Sequence, residues 1–270
     1  MKGTIRHLLD PRDYSFTRSF GVTKQDLPPR EYNYDLGIRM PDQNADGYRN
    51  GCTGYTQADI ATDQDAIPYD PIFTYEKTCL IEGHGPERGC SIRNSAKTGI
   101  VYGMKGEHEE NDAQALTHRR GAFYSVEKVS GCDWFDSMRL ALRKSGTSIS
   151  VGTLWFLEWG ETASDGILTP YFYFDGKWDE ESGHNYKICG EKTINGQPYL
   201  IAKPWLGKNF GDNGWCYFSR ETFNKVFDIY GTIAIIQTRA TPQDIITIRI
   251  TILQFLILYL GRIINMRAYA

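Results

Sequence analysis

The chain has 270 residues, 41% of them hydrophobic and 23% charged, enough for one sizeable core or for two lobes sharing a cleft. Its formal net charge of -3 comes from interspersed acids and bases with no long basic stripe, which excludes nucleic acid as the main partner. Cys52, Cys79, Cys90, Cys132, Cys189 and Cys216 are spread through a chain long enough not to need disulfide staples, so reduced thiols are expected.

The opening run MKGTIRHLLDPRDYSF lacks the apolar stretch of a secretory signal, so an intracellular or virion-associated location is expected. Residues 1–27 are polar and mixed and read as an N-terminal arm. Pro28-Pro29 then forces extended backbone and marks the edge of a domain running over 28–240. From Pro41 to Gly54 the run PDQNADGYRNGCTG is dense in turn-forming residues and reads as a loop. A helix is expected to begin near Cys52, with Tyr55, Ala58 and Ala61 as a narrow apolar stripe. Cys79, His84 and Cys90 have no Cys-x-x-Cys pair and no obvious fourth ligand, so they read as a loop with two semi-buried thiols, and no metal or other cofactor is expected.

The segment DWFDSMRLALRKSG, starting at Asp133, spaces Trp134, Met138, Ala141 and Leu142 as a helix would, puts bases in its last turn and stops at Gly146. It leads into a strand, TSISVGTLWFL. YKICGEKTINGQPYLIAKPW presents two strands joined at Asn195-Gly196, a pair suited to the positive dihedrals of a tight hairpin. FGDNGWCYFSRETF reads as a further turn and strand. Helices in the first half and strands in the second argue for an α+β fold. In the tail, 241–270, a heptad seam and a second apolar row predict that residues 245–264 form a helix buried by docking, self-association or membrane contact.

A thiol attacks a carbonyl as thiolate, and a helix N-terminus favours that ion, which makes Cys52 a candidate nucleophile. Of the five histidines, His184 follows a glycine and precedes the hairpin, the placement expected of a partner base.

These residues resemble the papain-like cysteine peptidases, and within them the prokaryotic and phage-type branch. Asp42-Gln43 followed by NGCTG resembles the family's nucleophile block, with Cys52 on the nucleophile and Gln43 on the oxyanion glutamine. PIFTYEKTCLIEG and GCSIRNSAKTGIV resemble the next two stretches, GHNYKICG puts His184 on the catalytic histidine, and GDNGWCYF resembles the glycine-rich closing strand. The resemblance implies a two-lobed fold, a helical lobe and a β-barrel-like sheet lobe, with Gly89, Cys90 and Trp205 in the cleft. It also implies a thiol protease that hydrolyses peptide or protein substrates through an acyl-enzyme, without cofactor.

At AKPWLGKNFGDNG the family has Asn-Ser-Trp-Gly, so the orienting position is altered: Lys203 or Pro204 stands where the asparagine is expected. A cation at Lys203 would disfavour an imidazolium beside it, and Pro204 has no side-chain acceptor, so the base loses its usual orienter unless Asn209 or a backbone carbonyl substitutes. The spacer between Gln43 and Cys52 is also longer, and Asp59 in a buried helix requires a partner. The alternative reading is a catalytically impaired papain-like domain used for binding or as a structural component.

Overall fold

A computed structural model describes residues 13–25, 27–155, 164–168, 183–230 and 234–240. The tail assigned to 245–264 lies outside the described residues. In chain order the elements are β1 (Tyr14–Ser15), α1 (Phe16–Ser19), β2 (Tyr32–Asn33), α2 (Cys52–Asp65), α3 (Pro71–Glu82), α4 (Ile92–Val101), a short 3-10 helix (Asp112–His118), β3 (Arg120–Val126), α5 (Trp134–Ser145), β4 (Ile149–Leu154), β5 (Ile167–Leu168), β6 (Gly183–Ile194), β7 (Gln197–Lys203), β8 (Cys216–Phe218), α6 (Arg220–Tyr230) and β9 (Ala234–Arg239). The fold is α+β: α2, α3 and α4 pack together, and the strands form one sheet ordered β1-β3-β9-β4-β6-β7-β8-β5, with β2 paired to β6.

Local chemistry sets the helix ends. Asp70 accepts from the N–H groups of Ile72 and Phe73, Pro71 occupies the first turn where its missing N–H costs nothing, and Gly83 ends α3 at φ 74°. Asp133 caps α5 and Gly146 closes it at φ 65°, as its sequence signals predict. The hairpin between β6 and β7 turns on Asn195 and Gly196, both at positive φ (50° and 75°), with Ile194 opposite Gln197. This is the turn expected from the Asn-Gly pair.

Two expectations need correction. The stripe on α2 is not narrow: Cys52 to Thr62 are all buried, polar residues included. A Cβ on Gly54 would lie 2.5 Å from Tyr75 Cβ and 2.7 Å from the Pro71 carbonyl, so glycine lets α2 and α3 approach. FGDNGWCYFSRETF is also not strand to its end: strands still dominate the described part of the second half, but after β8 the chain turns into α6. Ser219 Oγ accepts from Thr222 N–H at its start, and Phe223, Val226 and Phe227 are buried in the main core with Phe135, Phe218 and Tyr186. Phe16 and Val22, from the arm, belong to the same core.

Candidate active site

Cys52 opens α2, after Gly51 at the N-cap, so its sulfur stands at the positive end of the helix dipole. The preceding loop is wound on itself. Asp42 accepts from the N–H groups of Asn44 and Ala45, Tyr48 N–H donates to Gln43 O and Gly51 N–H to Tyr48 O, both at 2.8 Å. Gln43 is buried at the start of this loop: its N–H donates to Trp205 O at 3.1 Å and its Nε2 to Arg49 O at 3.1 Å. One hydrogen of the Gln43 amide is thus engaged, and a primary amide carries two.

His184 is the second residue of β6, paired with Thr153 of β4. Its neighbour Asn185 donates its N–H to Cys52 Sγ at 3.4 Å, which brings the start of β6 against the start of α2. The ring Nε2 lies 2.7 Å from Pro204 O. A carbonyl can only accept, so the proton is on Nε2 and Nδ1 carries the lone pair; among the described residues no hydrogen-bond partner is found for Nδ1. Trp155 packs edge-on against the imidazole at 4.9 Å between centroids. Cys52, Gln43 and His184 are all fully buried. Burial pulls the imidazole down to about 4, only partly offset by the Pro204 carbonyl, so the ring is neutral near pH 7.

At the altered orienting position a backbone carbonyl stands in for the side-chain acceptor. Lys203 does not approach the imidazole as a bare cation: its Nζ reaches Asp35 at 3.0 Å and Asp59 at 3.1 Å. Pro204, without a side-chain acceptor, supplies its backbone carbonyl instead. Trp205, next in the chain, adopts φ 62°, an unusual conformation for a bulky residue. Its indole N–H donates to Thr56 Oγ1 on α2 at 2.8 Å, and its ring packs with Cys52 and Tyr55.

Asp59 therefore has partners. Lys187 and Lys203 stand opposite each other on β6 and β7, and both reach the carboxylates of Asp35 and Asp59. Lys187 also reaches Asp63 at 2.6 Å, one turn along α2 from Asp59. Two ammonium groups thus occupy the space among three carboxylates that lie close enough to hold a metal ion. Burial opposes ionisation of Asp35, but Lys187, Lys203 and the Gly37 N–H bring it down to about 2. At Asp63, burial and the neighbouring Asp59 and Asp35 outweigh Lys187, and the carboxyl is raised to about 6. For Lys187 the three carboxylates outweigh the cost of burial and hold the ammonium charged.

Of the expected cleft residues, Trp205 lies against Cys52, whereas Cys90 is buried in a separate cluster with Tyr75 and Cys79, and Gly89 is half-buried beside it. Tyr48 packs on both clusters. An open cavity of about 590 Å³ lies elsewhere, lined in part by Phe16, Phe20, Tyr34 and Arg239 and by neither Cys52 nor His184. Sequence reasoning passed over Trp155, the Asn185 N–H and the carboxylates at Asp35 and Asp63, and allowed for a backbone carbonyl at the imidazole without identifying it as that of Pro204. Only the acids, spaced by four as Asp59 and Asp63 on α2, carried a readable signal.

The sequence matches no known family model and no curated protein. Its likeness lies in three dimensions. Xylellain, a cysteine protease from Xylella fastidiosa, superposes with a TM-score of 0.65 at 17% identity, over 88% of this chain and 96% of that one. The fold is papain-like. ProCathepsin B S9 from Trypanosoma congolense (TM-score 0.61, 13% identity, 89% of this chain and 87% of that one) has the same architecture. So does digestive procathepsin L 3 of Tenebrio molitor larval midgut (0.60, 15%, 88% and 76%). At these identities the likeness concerns the fold. Among the described residues of this papain-like chain, no helix is long and apolar enough to cross a membrane.

Proposed function

We propose that the chain is a papain-like cysteine endopeptidase, of the prokaryotic or phage-type branch, in which Cys52 is the nucleophile and His184 the general base. The observation that carries the reading is the hydrogen bond from His184 Nε2 to Pro204 O. It leaves the Nδ1 lone pair as the ring's basic atom, and the N–H of the next residue donates to Cys52 Sγ. Nδ1 takes the thiol proton as sulfur attacks the peptide carbonyl, and Nε2 stays anchored while the ring becomes imidazolium. The oxyanion accepts from the second Gln43 amide hydrogen and from the Cys52 N–H at the head of α2, donors worth roughly 2.7 to 4 kcal/mol each in comparable sites. The imidazolium returns its proton to the leaving amine, and water, deprotonated by Nδ1, then releases the acyl group.

Full burial of Cys52 and His184, with an imidazole held neutral, favours a second reading: a papain-like domain that binds or builds and does not cleave. Cys52 alkylation separates the two. A peptidase site reacts with iodoacetamide at neutral pH and slows at least tenfold in His184→Ala, one pKa unit of lost assistance corresponding to about that factor. Alkylation that is equally slow in both proteins, with no peptide hydrolysis, leaves the binding reading.

A further inference from the structure

A second cysteine–histidine arrangement lies outside the Cys52 pocket. Cys79 sits in the last turn of α3, and Cys90 directly precedes Ser91, the cap of α4. Their sulfurs are 3.5 Å apart, at van der Waals contact, and both residues are buried. His84, in the connecting loop, places a ring nitrogen within 4.8 Å of both sulfurs.

The hydrogen bonds of His84 decide what this cluster can do. Its Nδ1 lies 2.8 Å from Gly85 O and its Nε2 3.0 Å from Glu82 Oε2, so both nitrogens face acceptors and both carry protons. An imidazolium has no lone pair for a metal. The other Glu82 oxygen is engaged by Ser91 N–H and Asn94 Nδ2 at 2.8 and 2.9 Å. An imidazolium beside a sulfur stabilises a thiolate. The contact with Cys90 and the charge of His84 together lower the Cys79 thiol, while the same contact and burial raise that of Cys90. One sulfur is set to attack and its neighbour to resolve.

We propose that Cys79 and Cys90 are a redox pair that a small peroxide closes into a disulfide. The Cys79 thiolate attacks a peroxide oxygen and the O–O bond breaks. Hydroxide leaves and takes the His84 proton to become water, and Cys79 is left as sulfenic acid. Cys90 sulfur then attacks Cys79 sulfur, and the sulfenic oxygen departs as water with the Cys90 proton. Two thiols are oxidised by two electrons and one peroxide is reduced to two waters. The closed bridge ties the end of α3 to the loop whose Pro86 and Arg88 carbonyls accept from Tyr75 OH at 2.8 and 2.7 Å. Asn50 Nδ2, two residues before Cys52, donates to Glu87 O in that loop at 2.9 Å, so oxidation stiffens a wall leaning on the nucleophile segment.

The test uses the full chain, reduced and freed of reductant, then titrated with hydrogen peroxide, alkylated and peptide-mapped. The expected result is a Cys79–Cys90 linked peptide, reversed by dithiothreitol, with a Tm about 4–10 °C higher in the oxidised form. In Cys90→Ser the reaction should stop at a dimedone-reactive Cys79, and in His84→Gln the linkage should form about tenfold more slowly. Should either variant fail to fold, the wild-type map decides alone. Free Cys79 and Cys90 after other thiols have oxidised, pairing of either with a different cysteine, or stoichiometric zinc released by thiol modification would each overturn the proposal.

Discussion

Replacing Lys203 by Met tests whether buried charge supports the site. Lys203 is almost fully buried, its Nζ bonded to Asp35 and Asp59, and the substitution keeps the length of the chain while deleting the ammonium. Three carboxylates would then face Lys187 alone. Removing one partner of a buried ion pair costs about 3–5 kcal/mol, a large share of the roughly 5–15 kcal/mol that holds an ordinary domain together. The loss should depend on pH. Asp63, raised to about 6, already binds its proton more readily folded than unfolded, so its contribution to stability falls as pH rises from about 3.8 to about 6. Without Lys203 the acids repel more strongly at high pH, and the deficit should be smaller at pH 5 than at pH 8 by on the order of 1 kcal/mol, the worth of about one pKa unit. Urea unfolding of both proteins at the two pH values measures this. A deficit under about 1 kcal/mol at pH 8, or one that is the same at both pH values, would refute the reasoning.

For His184, the folded imidazole is depressed from the usual 6.5 to about 4, so its contribution to stability is full above 6.5 and is lost as pH falls towards 4. The stability difference between wild type and His184→Gln should therefore shrink across that window, and a constant difference would contradict a buried neutral ring. Gln43→Ala should lower kcat about 10²–10³-fold with little change in KM, since the amide is assigned to the transition state; unchanged turnover would remove it from the oxyanion site.

What was legible in the sequence is what local rules dictate. Cys52 at the start of a helix, the Asn195-Gly196 turn and the Asp133 to Gly146 helix each follow from residues within a few positions of one another. α6 had comparable signals in Ser219, Phe223, Val226 and Phe227, but it follows so closely on the strand at Cys216–Phe218 that the two merge into one apolar run. The partners of Asp59 were hidden for another reason. Lys187 and Lys203 sit on strands buried on both faces at those positions, where a lysine ordinarily marks the solvent side. A backbone carbonyl such as that of Pro204 has no side-chain signature at all.

The missing asparagine and the buried charges belong to one structural arrangement. A side-chain amide can find the imidazole by rotating its own torsions, whereas a carbonyl can hold it only where the chain fixes the peptide plane. The Pro204 ring removes the φ freedom one bond before that plane, and Trp205, held at φ 62° with its indole bonded to Thr56, fixes the far side of the plane. Lys203 ties the residue before Pro204 to Asp59 on the helix that carries Cys52, and to Asp35 beside it. The residues on both sides of the carbonyl are tied to α2, so the His184 ring is oriented relative to the helix that begins at Cys52. Such a holder tolerates little rotation and gives the imidazolium a dipole to lean on in place of an adjustable amide. In the peptidase reading, loosening Lys203 should then disturb His184 geometry and Cys52 alkylation before the hydrophobic core around Phe218 and Phe223 gives way.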